Sequence, residues 1–162
     1  MTHAPQLPYA DIEKEKDHYR AHMLKEEGVI EMSTNIEVIQ RLFNEVVNDK
    51  KLETVDELFS PSFIDHAPGP TQPPGPQGIK KVLEDYFAAF PDLVVTLEEI
   101  MSSGDTVATR ETWRATHRGQ YGGIAPTEKP ITRLVMHFFH IKDGQIIEEW
   151  SCGESIVEKL RS

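Results

Sequence analysis

Two histidines stand three residues apart in an apolar run, and this spacing limits the chemistry that they can do together. His137 and His140 belong to the segment HFFHIKDG, which ends in Asp143-Gly144. An Asp-Gly pair after such a run indicates a β-hairpin turn. Side chains three positions apart on a strand point to opposite faces of the sheet. The two histidines therefore cannot bind one metal ion together, and we expect His137 on the inner face and His140 on the outer face.

Two further histidines are candidates for the same site as His137. His66 follows a short extended segment and His117 ends a long predicted strand, so the fold could bring all three to one cavity. A neutral imidazole, with a reference pKa of about 6.5, can accept a proton at neutral pH. A nearby carboxylate opposes the lowering of that pKa by burial. The candidate carboxylates are Asp65, Glu111 and Glu148.

Other common chemistries lack their residues in this sequence. The glycine-rich stretches have neither the spacing nor the following helix of a phosphate-binding loop. No cluster of cysteine and histidine has zinc spacing, and the single cysteine, Cys152, is expected to pack rather than react. We therefore expect neither a metal nor a cofactor, and the hydrolase, kinase and dehydrogenase classes are disfavoured.

The charge of the chain narrows the choice of partner. The 162 residues include 27 acidic and 17 basic side chains, for a formal net charge of −10. Nucleic acids and anionic membranes select clustered Lys and Arg, so neither is expected as a partner. One cysteine excludes an intramolecular disulfide, and we find neither a long apolar run nor the apolar core of a signal peptide. These features indicate a cytoplasmic location.

The hydrophobic pattern predicts two regions. Residues 1–32 form a charge-dense N-terminal extension, helical in part, which is either a solvated helix or an arm that docks on a partner subunit. Residues 33–162 form one domain. Apolar residues recur at helical spacing in three early segments and then alternate along four long segments joined by turns. This order predicts an α+β fold, a cone-shaped barrel of three N-terminal helices packed on a curved, mostly antiparallel sheet.

The third long strand is apolar on both faces. One row contains Val135, His137 and Phe139, and the other contains Leu134, Met136, Phe138 and His140. A second apolar face of the sheet must also be buried against other protein, and the simplest partner for it is another subunit. We therefore expect a homodimer that packs through the outer face of the sheet.

Three segments resemble the SnoaL-like polyketide cyclase family, which has the nuclear transport factor 2-like fold. They are FNEVVNDKKLETVDELFSPSFIDHAPG, THRGQYGGIAPTEKPI and HFFHIKDGQIIEEW. The resemblance implies an α+β barrel, a cone-shaped pocket and a dimer. In these cyclases an aspartate on the third long strand removes an acidic carbon-bound proton. Ungapped alignment of the DGxIxExW pattern places His137 of this sequence at that position.

The resemblance implies roles for the candidate residues. His137 abstracts the proton, while His66 and His117 position or polarise the carbonyl group of a small apolar or cyclic compound. Such an enzyme would be a cofactor-independent cyclase or isomerase, of the lyase or isomerase class. A non-catalytic small-molecule-binding or accessory protein of the same fold is the alternative, because the fold hosts both. The expected substrate-binding residues are Trp113, Tyr121, Phe139, Trp150, Glu111 and Glu148.

Overall fold

The structure, a computed structural model, describes residues 23, 25, 26 and 34–162. The predicted N-terminal extension over residues 1–32 lies outside the described residues, apart from those three positions. In the part that is described, no helix is long and apolar enough to cross a membrane.

Within residues 34–162, four helices accompany the sheet. Helix α1 is α-helical over residues 34–41 and continues as a π-helix at Leu42–Asn48. Its apolar residues recur at a spacing of three or four, so they form one buried stripe. Helix α3, at Pro76–Ala89, begins with a proline, which is well tolerated in the first helical turn. The other helices are α2 at Val55–Leu58, preceded by a 3₁₀ turn at Leu52–Thr54, α3 at Pro76–Ala89 and α4 at Ile156–Arg161.

Five strands form one sheet in the order β1-β5-β4-β3-β2, in which β1 is parallel to β5 and the other neighbours are antiparallel. The strands are β1 at Phe59–Asp65, β2 at Val94–Ser103, β3 at Thr106–Thr116, β4 at Pro130–Lys142 and β5 at Gln145–Gly153. The predicted α+β class and the predicted hairpin at Asp143-Gly144 are both confirmed. Both turn residues have positive φ, 52° and 75°, as a two-residue hairpin turn requires.

Strand β4 shows the two faces of the sheet directly. Val135 and Phe139 are buried against the helices, whereas Leu134, Met136 and Phe138 are exposed on the other face. The predicted separation of His137 and His140 is confirmed, because they belong to these two alternating rows.

A β-bulge in β5 changes which residues of that strand face inward. His140 pairs with Glu148, but Ile141 pairs with Ile146, so Ile147 is the extra residue. The bulge shifts the alternation by one position. Glu149 is consequently buried, whereas Trp150 is on the outer face.

Candidate functional site

A cavity of about 460 Å³ opens between helices α1 and α3 and the inner face of the sheet. Its wall combines apolar side chains with several convergent polar groups, and small-molecule sites are formed in concave cavities that use both kinds of group. The apolar wall includes Leu42, Phe43, Val47, Ile79, Leu83, Trp113, Val135 and Phe139. The polar lining includes Asp65, Gln72, Tyr86, Tyr121, Arg133, His137, Glu149 and Ser151.

His137 and Glu111 form the most deeply buried polar pair of this site. The Nδ1 atom of His137 lies 3.0 Å from Oε2 and 3.2 Å from Oε1 of Glu111. The Glu111 carboxylate is fully buried, and the His137 side chain is 13% exposed. Phe139 stacks on the imidazole at 5.3 Å and 15°, so the ring orientation is fixed on two sides.

This pairing defines the tautomer of His137. In the neutral ring, Nδ1 donates its hydrogen to Glu111, which leaves the lone pair on Nε2. Nε2 makes no hydrogen bond to any residue that the structure describes. Because the ring lines the cavity, the arrangement presents a basic nitrogen to a bound molecule.

The charge of Glu111 also sets the proton affinity of the ring. Burial of His137 acts to lower its pKa, but the hydrogen bond to Glu111 and the negative charges of Glu111 and Glu149 outweigh burial. The net result is a pKa above the ordinary histidine value. His137 is therefore a stronger base than an isolated buried imidazole.

Glu149 provides a second titratable group in the same cavity. Burial raises the pKa of Glu149 to about 7; His137 opposes the rise, and Asp65 and Glu111 add to it. Glu149 pairs with Phe139 across strands β4 and β5. It therefore lies diagonal to His137, at a Cα distance of about 7–8 Å. A carboxyl group with this pKa can carry or release a proton near neutral pH.

Arg133 lies on the same strand as His137, four residues earlier, and also lines the cavity. Its Nη1 atom donates to the Tyr86 hydroxyl at 3.3 Å. The centre of the guanidinium group is 5.7 Å from the Trp113 ring centroid. Tyr121 stacks on Tyr86 at 5.5 Å, and burial raises the pKa of Tyr121, so its hydroxyl stays protonated. This end of the cavity is aromatic and positively charged.

Three predicted site residues lie on the outer face instead. His66 stacks on Trp150 at 4.2 Å and 2°. The Glu148 carboxylate lies 3.5 Å from Nε2 of His66 and 3.5 Å from Nδ1 of His140. The expected convergence of His66 with His137 is therefore not observed. The bulge at Ile147 accounts for Glu148 and Trp150, because it turns both away from the cavity.

His117 is fully buried but does not line the cavity. Its Nδ1 atom is 3.0 Å from the Thr127 hydroxyl, and its ring packs against Phe90 at 5.4 Å. Its main-chain N–H donates to Lys129 O, and its carbonyl accepts from Glu128 N–H. These contacts join the end of β3 to the loop before β4, so the expected convergence of three histidines on one cavity is wrong.

The structure brings together five of the predicted site residues and adds several polar residues that the sequence analysis missed. Trp113, Tyr121, Phe139 and His137 line the cavity, and Glu111 supports His137 from behind. The missed polar residues are Gln72, Tyr86, Arg133, Glu149 and Ser151. Counting back by twos from His137 along the strand reaches Arg133, so regular alternation does predict that Arg133 lies on the inner face. Glu149 depends on the bulge, and the sequence carries no clear signal for it.

This combination of an α+β fold and a cavity lined by apolar and polar side chains defines a small-molecule domain of the nuclear transport factor 2-like fold. The chain belongs to the SnoaL-like polyketide cyclase family, whose family model matches residues 37–156. Membership supports a small-molecule, cyclase-type role. A search of the curated proteins finds no match.

Solved structures agree with this assignment. IdmH of Streptomyces antibioticus, a candidate polyketide cyclase, is 30% identical, with 79% of this chain and 99% of IdmH covered and a TM-score of 0.68. A candidate SnoaL-like polyketide cyclase of Jannaschia sp. CCS1 is 22% identical, with coverages of 80% and 91% and a TM-score of 0.72. AclR of Streptomyces galilaeus, a candidate hydroxylase, is 23% identical, with coverages of 80% and 85% and a TM-score of 0.69. The last two show the shared fold.

Proposed function

We propose that the protein is a cofactor-independent enzyme that removes a carbon-bound proton from a small carbonyl compound, with His137 as the base. The observation that carries the proposal is the His137–Glu111 pair, 3.0 Å apart, at the wall of the cavity. A base held by a buried carboxylate, with its second nitrogen free, has the geometry that general-base catalysis requires.

The proposed step leaves atoms and charges balanced. Nε2 of His137 takes the proton from a carbon next to the substrate carbonyl, which gives an imidazolium and an enolate. Glu111 stabilises the imidazolium through Nδ1–H. The protonated form of Glu149, populated because its pKa is about 7, donates a hydrogen bond to the enolate oxygen. The enolate carbon then attacks a second carbonyl of the same molecule, whose oxygen becomes an alkoxide and takes the proton back from the imidazolium, or the enolate carbon itself regains that proton.

Deuterium uptake by a simple ketone tests this proposal without knowledge of the natural substrate. We suggest 2-tetralone in D₂O, followed by mass spectrometry, with the wild-type protein, His137→Asn and His140→Asn. General-base catalysis contributes about 10²- to 10⁴-fold, so His137→Asn should lose at least about 100-fold of the enzymatic rate. His140→Asn changes a histidine on the outer face and should retain that rate.

The same experiment separates the catalytic proposal from the alternative. Equal exchange rates for the wild type and His137→Asn would remove His137 from the mechanism. Binding of 2-tetralone without enzymatic exchange would favour a non-catalytic binding protein. One observation supports the non-catalytic binding protein. Three histidines were expected at the cavity, and His137 lines it whereas His66 and His117 do not.

We also propose that two copies of the chain pair through the outer face of the sheet. Leu134 is 48% exposed and Met136 and Phe138 are each 53% exposed, on one face of β4. Met101 on β2 extends this apolar surface. Contiguous exposed apolar surface of this kind is typical of protein–protein contacts.

Sedimentation analysis at micromolar concentration tests the pairing. The wild type should sediment as a dimer, and Phe138→Lys should sediment as a monomer because a charge would be buried at the interface. Glu84→Lys, which adds a lysine at an exposed position of α3, is the matched control and should remain a dimer. A monomeric wild type would contradict the proposal.

A further inference from the structure

Arg133 has no acidic partner within the part of the chain that the structure describes. Among the described residues, its side chain makes one hydrogen bond, to the Tyr86 hydroxyl at 3.3 Å. The guanidinium group is also held by the face of Trp113. A cationic group that lines a cavity and lacks a counter-charge is available to an anion that enters the cavity.

The surroundings keep Arg133 in this position. A Cβ atom on Gly153 would lie 2.8 Å from Nη2 of Arg133, so the glycine leaves room for the guanidinium group. Glu154 is near in sequence, but its carboxylate accepts from the Leu134 N–H at 2.9 Å and pairs with Lys159 at 3.1 Å. Glu154 is near enough for Arg133 to help lower its pKa, but it forms an ion pair with Lys159 and not with Arg133.

The other polar end of the cavity is lined by carboxyl groups. Asp65 and Glu149 line it, and the buried Glu111 lies behind His137. Asp65 is held by Gln72 Nε2 at 2.7 Å, so its carboxylate is fixed in place. Like charges repel strongly in a partly desolvated site. An anionic group of a ligand would consequently avoid this end and select Arg133.

The strand fixes the distance between the two ends. Arg133 and His137 are four residues apart on the inner row of β4, which corresponds to a Cα separation of about 13 Å at the usual rise per residue. A molecule that contacts both side chains must place its anionic group several bonds from its acidic carbon.

We infer that the substrate is a carbonyl compound with a remote carboxylate, which binds Arg133 while the acidic carbon lies at His137. Arginine suits this role because its planar group offers two parallel N–H donors to a carboxylate. The inference rests on the proposed function for the position of the reacting carbon. It adds the substrate class and the direction in which the substrate enters the site.

A pair of rigid probes of equal shape tests the inference. Biphenyl-4-carboxylate and biphenyl-4-carboxamide differ in charge, and calorimetric titration of the full chain gives their affinities. A charge-assisted pair should favour the carboxylate by about tenfold or more. Arg133→Met should remove this preference and leave amide binding unchanged. Arg133→Lys keeps the charge without the two parallel donors and should retain part of the preference.

The control variant is Arg114→Met, which removes the same charge from an exposed position of β3. It should bind both probes like the wild type. Equal affinity of the wild type for the two probes would overturn the inference, as would a full carboxylate preference in Arg133→Met or no carboxylate binding at millimolar concentration. If Arg133→Met does not fold, the affinities of the wild type for the two probes still test whether the cavity prefers a carboxylate.

The two proposals fail in different ways. His137→Asn should keep the carboxylate preference, because Arg133 is unchanged. Loss of deuterium exchange in His137→Asn with a retained preference supports both proposals. A retained preference together with unchanged exchange in His137→Asn rejects the base and keeps the Arg133 contact. No preference together with lost exchange rejects the substrate class and keeps the base.

Discussion

Glu149→Gln should change how the stability of the protein depends on pH. The pKa of Glu149 is about 7 in the folded protein against a reference value of 4.5, because the folded chain buries the carboxyl group. Glutamine has nearly the same shape as the protonated side chain and cannot ionise. The substitution therefore removes the titration and preserves the packing of the cavity wall.

The raised pKa of Glu149 determines whether the free energy of unfolding rises or falls with pH. Between pH 4.5 and 7 the unfolded chain has lost the proton and the folded chain retains it, so the free energy of unfolding falls as the pH rises. The stabilisation is fully present below about pH 4.5 and is lost as the pH passes about 7. A difference of 7 − 4.5 pKa units corresponds to roughly 3 kcal/mol. Glu149→Gln should be similar in stability to the wild type near pH 4.5 and more stable at pH 8, by up to that amount.

Urea unfolding at pH 5 and pH 8, followed by circular dichroism at a fixed protein concentration, measures the difference. Glu98→Gln is the control, because it removes the same charge at an exposed position of β2. It should change the free energy of unfolding by less than about 0.5 kcal/mol at both pH values. A stability gain from Glu149→Gln that is the same at pH 5 and pH 8 would refute the reasoning, because the carboxyl group would then have an ordinary pKa.

Other substitutions give further predictions. Glu111→Gln should lower the pKa of His137 in a nuclear magnetic resonance titration, because burial would then act without the carboxylate; an unchanged titration would contradict the pairing. Gly119→Ala should destabilise the fold by about 2 kcal/mol or more in thermal unfolding, because its Cβ atom would lie 2.2 Å from the Ala88 carbonyl oxygen; a stability equal to wild type would contradict this contact. Ser155→Ala should cost about 1 kcal/mol, because the hydroxyl caps helix α4, and Ser155→Asp should restore the loss.

Regular alternation made part of the site predictable from the sequence. Strand β4 runs without a break from Ile131 to His140 against β3, so counting by twos placed His137 and Phe139 on the inner face correctly. The partner strand β3 is regular over the same register, and this put Glu111 and Trp113 on the same side. The fold class was predictable for a related reason, since the helical and alternating periods occupy separate parts of the chain.

The residues that were misplaced lie where this regularity ends. His66 follows the last residue of β1, an edge strand whose pairing with β5 is itself irregular. His117 follows the last residue of β3 and is fixed by loop contacts with Thr127 and Lys129. These positions depend on the three-dimensional course of the loops, which no local period in the sequence encodes.

The bulge at Ile147 had the largest effect on the proposed chemistry. The segment QIIEEW contains adjacent glutamates, and regular alternation would place Glu148 in the cavity and Glu149 outside. The extra residue reverses them, so that Glu148 pairs with His66 and His140 while Glu149 is buried beside His137. Burial in the cavity raises the pKa of Glu149 to about 7, and this makes Glu149, together with His137, a group that can exchange a proton with a bound carbonyl compound.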